Sequence, residues 1–139
     1  MFQVPAPRWA LGLSVPLVLL AACLSPSEPP DLEDFPTGNY TVTFAEEEDV
    51  TPAIVGDWSI VWRMDGDFII GFESDAFVRG AFSVNGSQVT LTDRDGPGRC
   101  PEPGTYEWAF EDSELSLTLV SDDCSGRVEV LTTKPWTRQ

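Results

Sequence analysis

Hydrophobic and polar residues alternate with a period of two along most of the chain after Gly38. This alternation puts apolar side chains on one face of a β-strand and polar side chains on the other. Eight segments rich in β-branched or aromatic residues show it, at 40–44, 58–62, 68–72, 78–84, 89–92, 106–110, 115–119 and 127–130. Since no helical stripe appears, the pattern predicts an all-β domain of antiparallel strands with one solvated face.

Connections of two lengths alternate along the predicted strands. Short turn signals occur at Asp65-Gly66, Asn85-Gly86 and 111–113, where residues that accept positive φ favour tight hairpins. The longer connections are 46–55, 73–76, 93–103 and 121–126. In an ordered meander the tight turns gather at one end and the longer connections at the other. We therefore predict an eight-stranded antiparallel up-and-down β-barrel, closed so that no strand edge is exposed, with a β-sandwich as the alternative.

The predicted inward face is unusually aromatic. An eight-stranded barrel is either just filled by side chains or holds one small ligand, and the pattern leaves both possibilities open. In the second case the polar tips of Tyr and Trp would orient a ligand in an apolar pocket. The candidate cavity residues are Tyr40, Phe44, Trp58, Trp62, Phe68, Phe72, Phe82, Tyr106, Trp108 and Phe110.

The N-terminal residues 1–22 have the features of an export signal. Arg8 precedes an apolar run that is too short, and too interrupted by Pro16, for a membrane span. The run ends in Leu20-Ala21-Ala22-Cys23, which resembles the bacterial lipoprotein signal. The resemblance implies lipidation of Cys23 and a lipid-anchored protein of the bacterial cell envelope, exposed to the periplasm or the exterior. An ordinary signal cleaved near Ala22 is the alternative.

The remaining chain divides into a tether and a domain. Residues 23–37 are acidic and Pro-rich and predict a stiff tether, whereas 38–139 predict the barrel. If Cys23 is acylated, Cys100 and Cys124 remain as an even pair, which an exported domain normally oxidises. The disulfide would close a loop of about 25 residues and stabilise the domain by about 3 kcal/mol. A metal site is the weaker alternative, because two Cys without His ligate zinc poorly.

Charge and composition narrow the function classes. The chain has 8 Lys and Arg against 23 Asp and Glu, a net charge of −15, which argues against nucleic-acid binding through phosphates. The chain has no His, so no Ser–His or Cys–His pair can form, and no carboxylate pair is distinctively spaced. We therefore expect no enzyme and no cofactor. The segment Asp93-Arg94-Asp95-Gly96 lacks the ligand spacing of a calcium loop, so no metal site is predicted.

Acidic residues concentrate in the longer connections. The candidate acidic mouth comprises Glu46, Glu47, Glu48, Asp49, Asp93, Asp95, Asp122 and Asp123. Solubility through self-repulsion explains such a surface most simply. The alternative is a surface that steers a basic protein or a cationic ligand towards the barrel.

A family resemblance rests on several short motifs. They are Gly38-Asn39-Tyr40, Gly56-Asp57-Trp58, Gly104-Thr105-Tyr106-x-Trp108, Asp123-Cys124-x-x-Arg127 and Pro135-Trp136-Thr137-Arg138. Together with the meander, they resemble small bacterial lipocalin-like, calycin-type lipoprotein domains of unassigned function over roughly residues 36–139. The resemblance implies a lipid-anchored extracytoplasmic binding protein that carries a small hydrophobic or amphipathic ligand. It also implies an Arg127 side chain packed over a barrel Trp, with an exposed Arg on the strand as the alternative. The alternative function is an interaction or inhibitor lipoprotein whose acidic mouth binds a basic partner.

Overall fold

The computed structural model of this protein describes residue 32 and residues 34–139. The predicted signal, Cys23 and most of the predicted tether lie outside the described residues. The elements in chain order are β1 (Gly38–Phe44), a 3₁₀ turn (Pro52–Ile54), β2 (Gly56–Trp62), β3 (Asp67–Phe72), β4 (Asp75–Asn85), β5 (Gln88–Asp95), β6 (Gly104–Glu111), β7 (Glu114–Ser121), α1 (Ser125–Thr132) and β8 (Trp136–Arg138).

The strands form a closed antiparallel barrel in which each strand pairs with the next and β8 pairs with β1. This confirms the predicted fold class. The period-two alternation of the sequence appears directly in the burial of the strands. In β1, Tyr40, Val42 and Phe44 are buried, whereas Thr41 and Thr43 between them are exposed. The same alternation along the other strands brings one apolar face from every strand into a common interior.

The eighth strand was predicted in the wrong place. Residues 127–130 belong to helix α1, and the barrel is closed by the three-residue strand β8 instead. Helix α1 buries Arg127, Val130 and Leu131, which lie three and four residues apart and therefore share one helical face. The helical period was hard to recognise because Arg127, one of the three buried residues, is charged. In addition, Val128 and Val130 flank the polar Glu129, which is the pattern of a strand. No helix among the described residues has the length and apolar character that a membrane-crossing helix needs.

Tight turns close one end of the barrel, as predicted. Gly66 and Gly86 have positive φ values of 87° and 60° there, and residues 112–113 form a two-residue turn between β6 and β7. The connection 73–76, predicted to be long, is also a two-residue turn. Glu73 and Ser74 both adopt left-handed φ values, of 49° and 71°, which suits the twist of a two-residue hairpin. The opposite end, here called the open end, carries this 73–74 turn, the connections 45–55 and 96–103, and helix α1.

An aromatic plug seals the closed end. Phe35, from the segment just before β1, is 2% exposed. Its ring centroid lies 5.0 Å from that of Trp62, 5.4 Å from Phe82 and 5.3 Å from Trp108, within the range of favourable aromatic pairing. The packed interior thus begins upstream of Gly38.

Candidate functional site

A pocket of about 230 Å³ lies at the open end of the barrel. Strands β2 to β5 form its walls, and the 3₁₀ turn, the 96–103 connection and helix α1 surround its mouth. Its lining residues are Ala53, Ile54, Trp58, Ile70, Phe77, Val78, Asp93, Gly98, Cys100, Cys124, Gly126, Arg127, Val130 and Leu131. The barrel is therefore packed at its closed end and hollow at its open end.

Apolar side chains dominate the pocket lining. Trp58 is held in place because its indole Nε1–H donates to the Ile54 carbonyl at 2.8 Å. Its ring packs against Phe77, with centroids 5.3 Å apart and planes nearly perpendicular. At the mouth of the pocket, Val130 and Leu131 of helix α1 add two further aliphatic side chains. Such a surface favours an apolar ligand body because its contact with water is removed on binding.

One wall of the pocket contains a buried ionic group, here called the Arg127 cluster, consisting of Arg127, Asp93, Asp122 and Tyr106. The Arg127 guanidinium donates to both carboxylate oxygens of Asp122, at 2.6 and 2.8 Å, and to the Glu102 carbonyl at 2.7 Å. Its Nη1 lies 3.1 Å from Oδ2 of Asp93. The Tyr106 hydroxyl donates to Asp122. The Arg127 side chain is 4% exposed and both carboxylates are 0% exposed, so water screens these charges little.

The disulfide and the Arg127 cluster hold the same two segments of chain. Cys100 and Cys124 are bonded, which confirms the predicted pairing. The Cys100 N–H donates to Asp93 at 2.8 Å, and the Cys124 N–H donates to Asp122 at 2.8 Å. Since Arg127 bridges the two aspartates, the 96–103 connection and the start of α1 are joined both covalently and electrostatically. This fixes one side of the pocket mouth.

The local sequence permits the close packing of this cluster. A Cβ atom at Gly104, the first residue of β6, would collide with the Asp122 carboxylate and would lie 2.9 Å from Nη2 of Arg127. Glycine therefore lets the buried ion pair approach the sheet backbone. Two residues later on the same strand, Tyr106 reaches the cluster with its hydroxyl. The Gly-x-Tyr motif thus supports the buried charges.

Burial and hydrogen bonding shift the pKa values of the cluster in opposing ways. Burial would raise the pKa of Asp122, but hydrogen bonds from Arg127 and Tyr106 outweigh it and hold that pKa below its usual value. Burial, reinforced by the hydrogen bond to Asp122, raises the pKa of Tyr106 well above 10. Burial would lower the pKa of Arg127, yet its bond to Asp122 and the charge of Asp93 raise it. The guanidinium therefore stays charged and the phenol stays protonated at neutral pH.

Two polar atoms of the cluster have no hydrogen-bond partner in the described part of the chain. They are Oδ1 of Asp93 and Nη1 of Arg127, and both are buried. Nη1 is close enough to Asp93 for an ion pair, but its N–H bonds are not directed at that oxygen. An unpaired buried donor or acceptor costs about 1–3 kcal/mol. Both residues line the pocket, but these two atoms have almost no accessible surface and lie within the protein rather than on the pocket wall.

The structure separates the ten aromatic residues predicted to line a cavity. Trp58 alone among them lines the open-end pocket. Phe72 and Trp108 are half-buried against the core, and Phe110 is 37% exposed. The remaining six fill the packed interior: Tyr40, Phe44, Trp62, Phe68, Phe82 and Tyr106.

The eight predicted mouth acids also divide. Asp93 and Asp122 belong to the buried cluster, Glu48 pairs with Lys134 at 2.7 Å, and Asp95 lies 3.5 Å from Arg79. The hydrogen bond from Lys134 lowers the pKa of Glu48. The other four take part in no ion pair between described residues; Glu46, Glu47, Asp49 and Asp123 are all exposed. The acidic surface is therefore smaller than the sequence indicates.

Several site residues lie outside the alternating pattern on which the sequence prediction depended. Ala53 and Ile54 lie in the 3₁₀ turn, and Val130 and Leu131 lie on the helix that was assigned as a strand. Arg127 neither packs over a Trp nor lies exposed on a strand, the two predicted alternatives; it is buried among carboxylates. The described cation–π contacts are Lys134 over Phe44 and Arg138 over Phe110. The spacing of residues 127, 130 and 131 was the one signal that could have revealed the helix.

Neither the family models nor the curated proteins nor the solved structures contain a match to this chain. The closed eight-stranded meander is compatible with the lipocalin-like fold that the sequence resembles. Within the described residues, no group of three or more Cys, Asp and Glu side chains is arranged to hold a metal ion. The chemistry that the site offers is thus the burial of an apolar ligand.

Proposed function

We propose that this protein is a binding module that holds a small apolar or amphipathic molecule in the pocket at the open end of its barrel. The observation that carries the proposal is the pocket itself, a concave space lined mostly by apolar side chains. Ligand sites in proteins commonly combine an apolar lining with a few well-placed polar groups.

The volume of the pocket limits the size of the ligand. An engineered apolar cavity of about 150 Å³ binds benzene, and drug-sized ligands occupy about 300–1,000 Å³. A space of about 230 Å³ lies between these values and suits a molecule of about nine non-hydrogen atoms, scaled from benzene. The ligand is therefore a small molecule, or one end of a larger molecule that extends into solvent.

The location of this activity is the second part of the proposal. Leu20-Ala21-Ala22-Cys23 supports a lipid anchor at Cys23, and the acidic Pro-rich segment supports a spacer. The described chain enters the barrel at its closed end, where Phe35 packs. A lipocalin-like lipoprotein of the bacterial envelope built in this way would open its pocket away from the point of attachment, towards the periplasm or the exterior.

A second candidate function is supported by the exposed acids of the 45–55 connection. Glu46, Glu47 and Asp49 lie together at the open end and form no ion pair with a described residue. A basic protein could contact this edge, as in an interaction or inhibitor lipoprotein. The pocket favours the first function, because Asp93, Asp122 and Glu48 already pair with cations of the same chain.

The experiment that tests the proposal fills the pocket with a larger side chain. Val130 is 5% exposed and lines the pocket, whereas Val128 is a half-buried neighbour on α1 outside the lining. Val130→Phe would place an aromatic ring in the empty space, and Val128→Phe adds the same atoms elsewhere on the helix. Ethylbenzene and benzyl alcohol, each of about eight non-hydrogen atoms, are suitable probes for the space available.

We expect both probes to bind wild-type protein and Val128→Phe in chemical-shift titrations, and neither to bind Val130→Phe. Each probe should also raise the Tm of the two binding proteins in proportion to its occupancy. Unchanged binding by Val130→Phe would place the ligand elsewhere. Absence of binding by wild-type protein would refute the proposed function.

A further inference from the structure

The side chains that line the open-end pocket offer a ligand no hydrogen-bond partner. Only Trp58, Asp93 and Arg127 among them contain nitrogen or oxygen. The Trp58 indole and the Arg127 guanidinium donate to acceptors within the protein, and the Asp93 carboxylate accepts a backbone N–H at 2.8 Å. The two atoms of Asp93 and Arg127 that have no partner have almost no accessible surface. A head group that needs hydrogen bonds would therefore lose those to water and regain none from these side chains.

The same wall nevertheless contains an excess of negative charge. In the Arg127 cluster one guanidinium faces two carboxylates, those of Asp93 and Asp122, so the formal charge is minus one. The raised pKa of Tyr106 keeps the phenol protonated, and it adds no charge. An electrostatic field acts without contact, so it extends into the pocket although the charged atoms are buried. In a space that water screens poorly, this field favours a cation and opposes an anion.

Aromatic rings in the lining act in the same direction. Trp58 and Phe77 both line the pocket, with ring centroids 5.3 Å apart and planes at 84°. Phe72 packs behind them, 4.6 Å from Trp58 between centroids. The face of an aromatic ring attracts cations, and that of Trp does so most strongly.

Two requirements thus apply to one head group: it must be positively charged, and it must not depend on hydrogen bonds. A primary ammonium group meets only the first, because its three N–H donors need acceptors. A quaternary ammonium group meets both. Its charge is spread over methyl groups that have no donor, and such groups are recognised in proteins by aromatic rings.

We propose that the open-end pocket binds a quaternary ammonium group, held by the aromatic rings of Trp58 and Phe77 in the negative field of the Arg127 cluster. The inference rests on the proposed ligand-binding function of the same pocket. The exposed acids Glu46 and Glu47 of the neighbouring 45–55 connection have the sign that attracts such a cation to the mouth. The protein would then discriminate against carboxylates of the same size and shape.

A matched series of small probes tests this selectivity on wild-type protein at pH 7 and constant ionic strength. Choline and neohexyl alcohol have the same shape, and only the choline nitrogen is charged. Neohexylammonium and the anion of tert-butylacetic acid have the same branched body with a primary ammonium or a carboxylate. Each has about seven or eight non-hydrogen atoms, which suits the volume of the pocket.

We expect choline to bind at least about fivefold more tightly than neohexyl alcohol, the ratio that one cation–π contact gives. Neohexylammonium should bind more weakly than choline, and the carboxylate should bind most weakly. The Kd values come from chemical-shift titrations that follow the Trp58 indole N–H.

An Asp93→Asn variant tests the origin of the selectivity. It removes the excess negative charge, so the preference for choline over neohexyl alcohol should fall at least about threefold. Asp95→Asn is the matched control, because Asp95 lies on the same strand with an exposed side chain; it should leave the preference unchanged. If Asp93→Asn fails to fold, Phe77→Leu tests the aromatic contribution, and it should lower the same preference.

The outcomes separate the inference from the proposed function. If neohexyl alcohol binds as tightly as choline, recognition of the cation is refuted while the apolar pocket stands. If the carboxylate or neohexylammonium binds most tightly, the pocket recognises another head group and the inference is overturned. If neither choline nor ethylbenzene binds, the proposed function fails as well.

Discussion

Replacing Arg127 tests the energetics of the site most severely. The Arg127→Met variant keeps much of the buried aliphatic length but removes the only cation that contacts Asp93 and Asp122 in the described structure. Both carboxylates are 0% exposed, so neither can recover its hydration without opening the barrel. Breaking a buried ion pair on one side costs about 3–5 kcal/mol. That loss is a large fraction of the roughly 5–15 kcal/mol that stabilises an ordinary domain.

A second arginine provides a matched control for this prediction. Arg79 lies 3.5 Å from Asp95 on β5, the strand that also contains Asp93, but the two side chains are 57% and 64% exposed. Arg79→Met should therefore cost only about 0–1 kcal/mol. Urea unfolding at pH 7, followed by tryptophan fluorescence, measures both variants against wild-type protein.

The pH dependence of the difference gives an independent check. In Arg127→Met, burial still raises the pKa of Asp122 but the hydrogen bonds from Arg127 that lower it are lost, so this carboxylate takes up a proton more readily as pH falls. The gap in unfolding free energy between wild-type and variant protein should consequently narrow from pH 7 to about pH 4. An Arg127→Met variant that loses less than about 1 kcal/mol, like the Arg79→Met control, would refute the view that the cluster is buried and energetically coupled.

Two further predictions concern the plug and the buried phenol. Phe35→Ala should lower the free energy of unfolding, measured with urea, by about 3 kcal/mol or more. Phe110 is 37% exposed, so Phe110→Ala should lower it by only about 1–2 kcal/mol. Equal losses would show that Phe35 is not a core residue. Because the folded-state pKa of Tyr106 is raised, its contribution to stability is complete below pH 10 and is lost as pH rises further. Tyr106→Phe should therefore lose stability less steeply than wild-type protein between about pH 10 and 11, and parallel slopes would contradict this.

The strands of the barrel were predictable because two neighbouring signals agree. Alternation at Tyr40-Val42-Phe44 and at Trp58-Ile60-Trp62 defines an inward face, and turn residues such as Gly66 and Gly86 define the ends. These signals are local, so a single sequence contains them. The disulfide was predicted from the even pair of Cys in an exported domain, and the topology agrees with it, since the connections after β5 and β7 lie at one end.

The site depends on tertiary contacts that leave no local signal. Arg127 is buried because Asp93, far earlier along the chain, and the nearby Asp122 converge on it, and only its helical spacing from Val130 and Leu131 marks it as interior. Phe35 lies among prolines and acids, yet it plugs the barrel. Whether the interior is filled or hollow depends on strand tilt and stagger, which side-chain composition does not determine.

The proposed function depends on the pocket at the open end, and an indole N–H titration tests that pocket directly. Trp58 lines the pocket, whereas Trp62 and Trp108 pack against Phe35 at the closed end. When benzyl alcohol is added to wild-type protein, the Trp58 indole N–H resonance should shift and saturate while those of Trp62 and Trp108 stay in place. A Trp58 resonance that does not move, or equal shifts of all three, would contradict ligand binding at the open end.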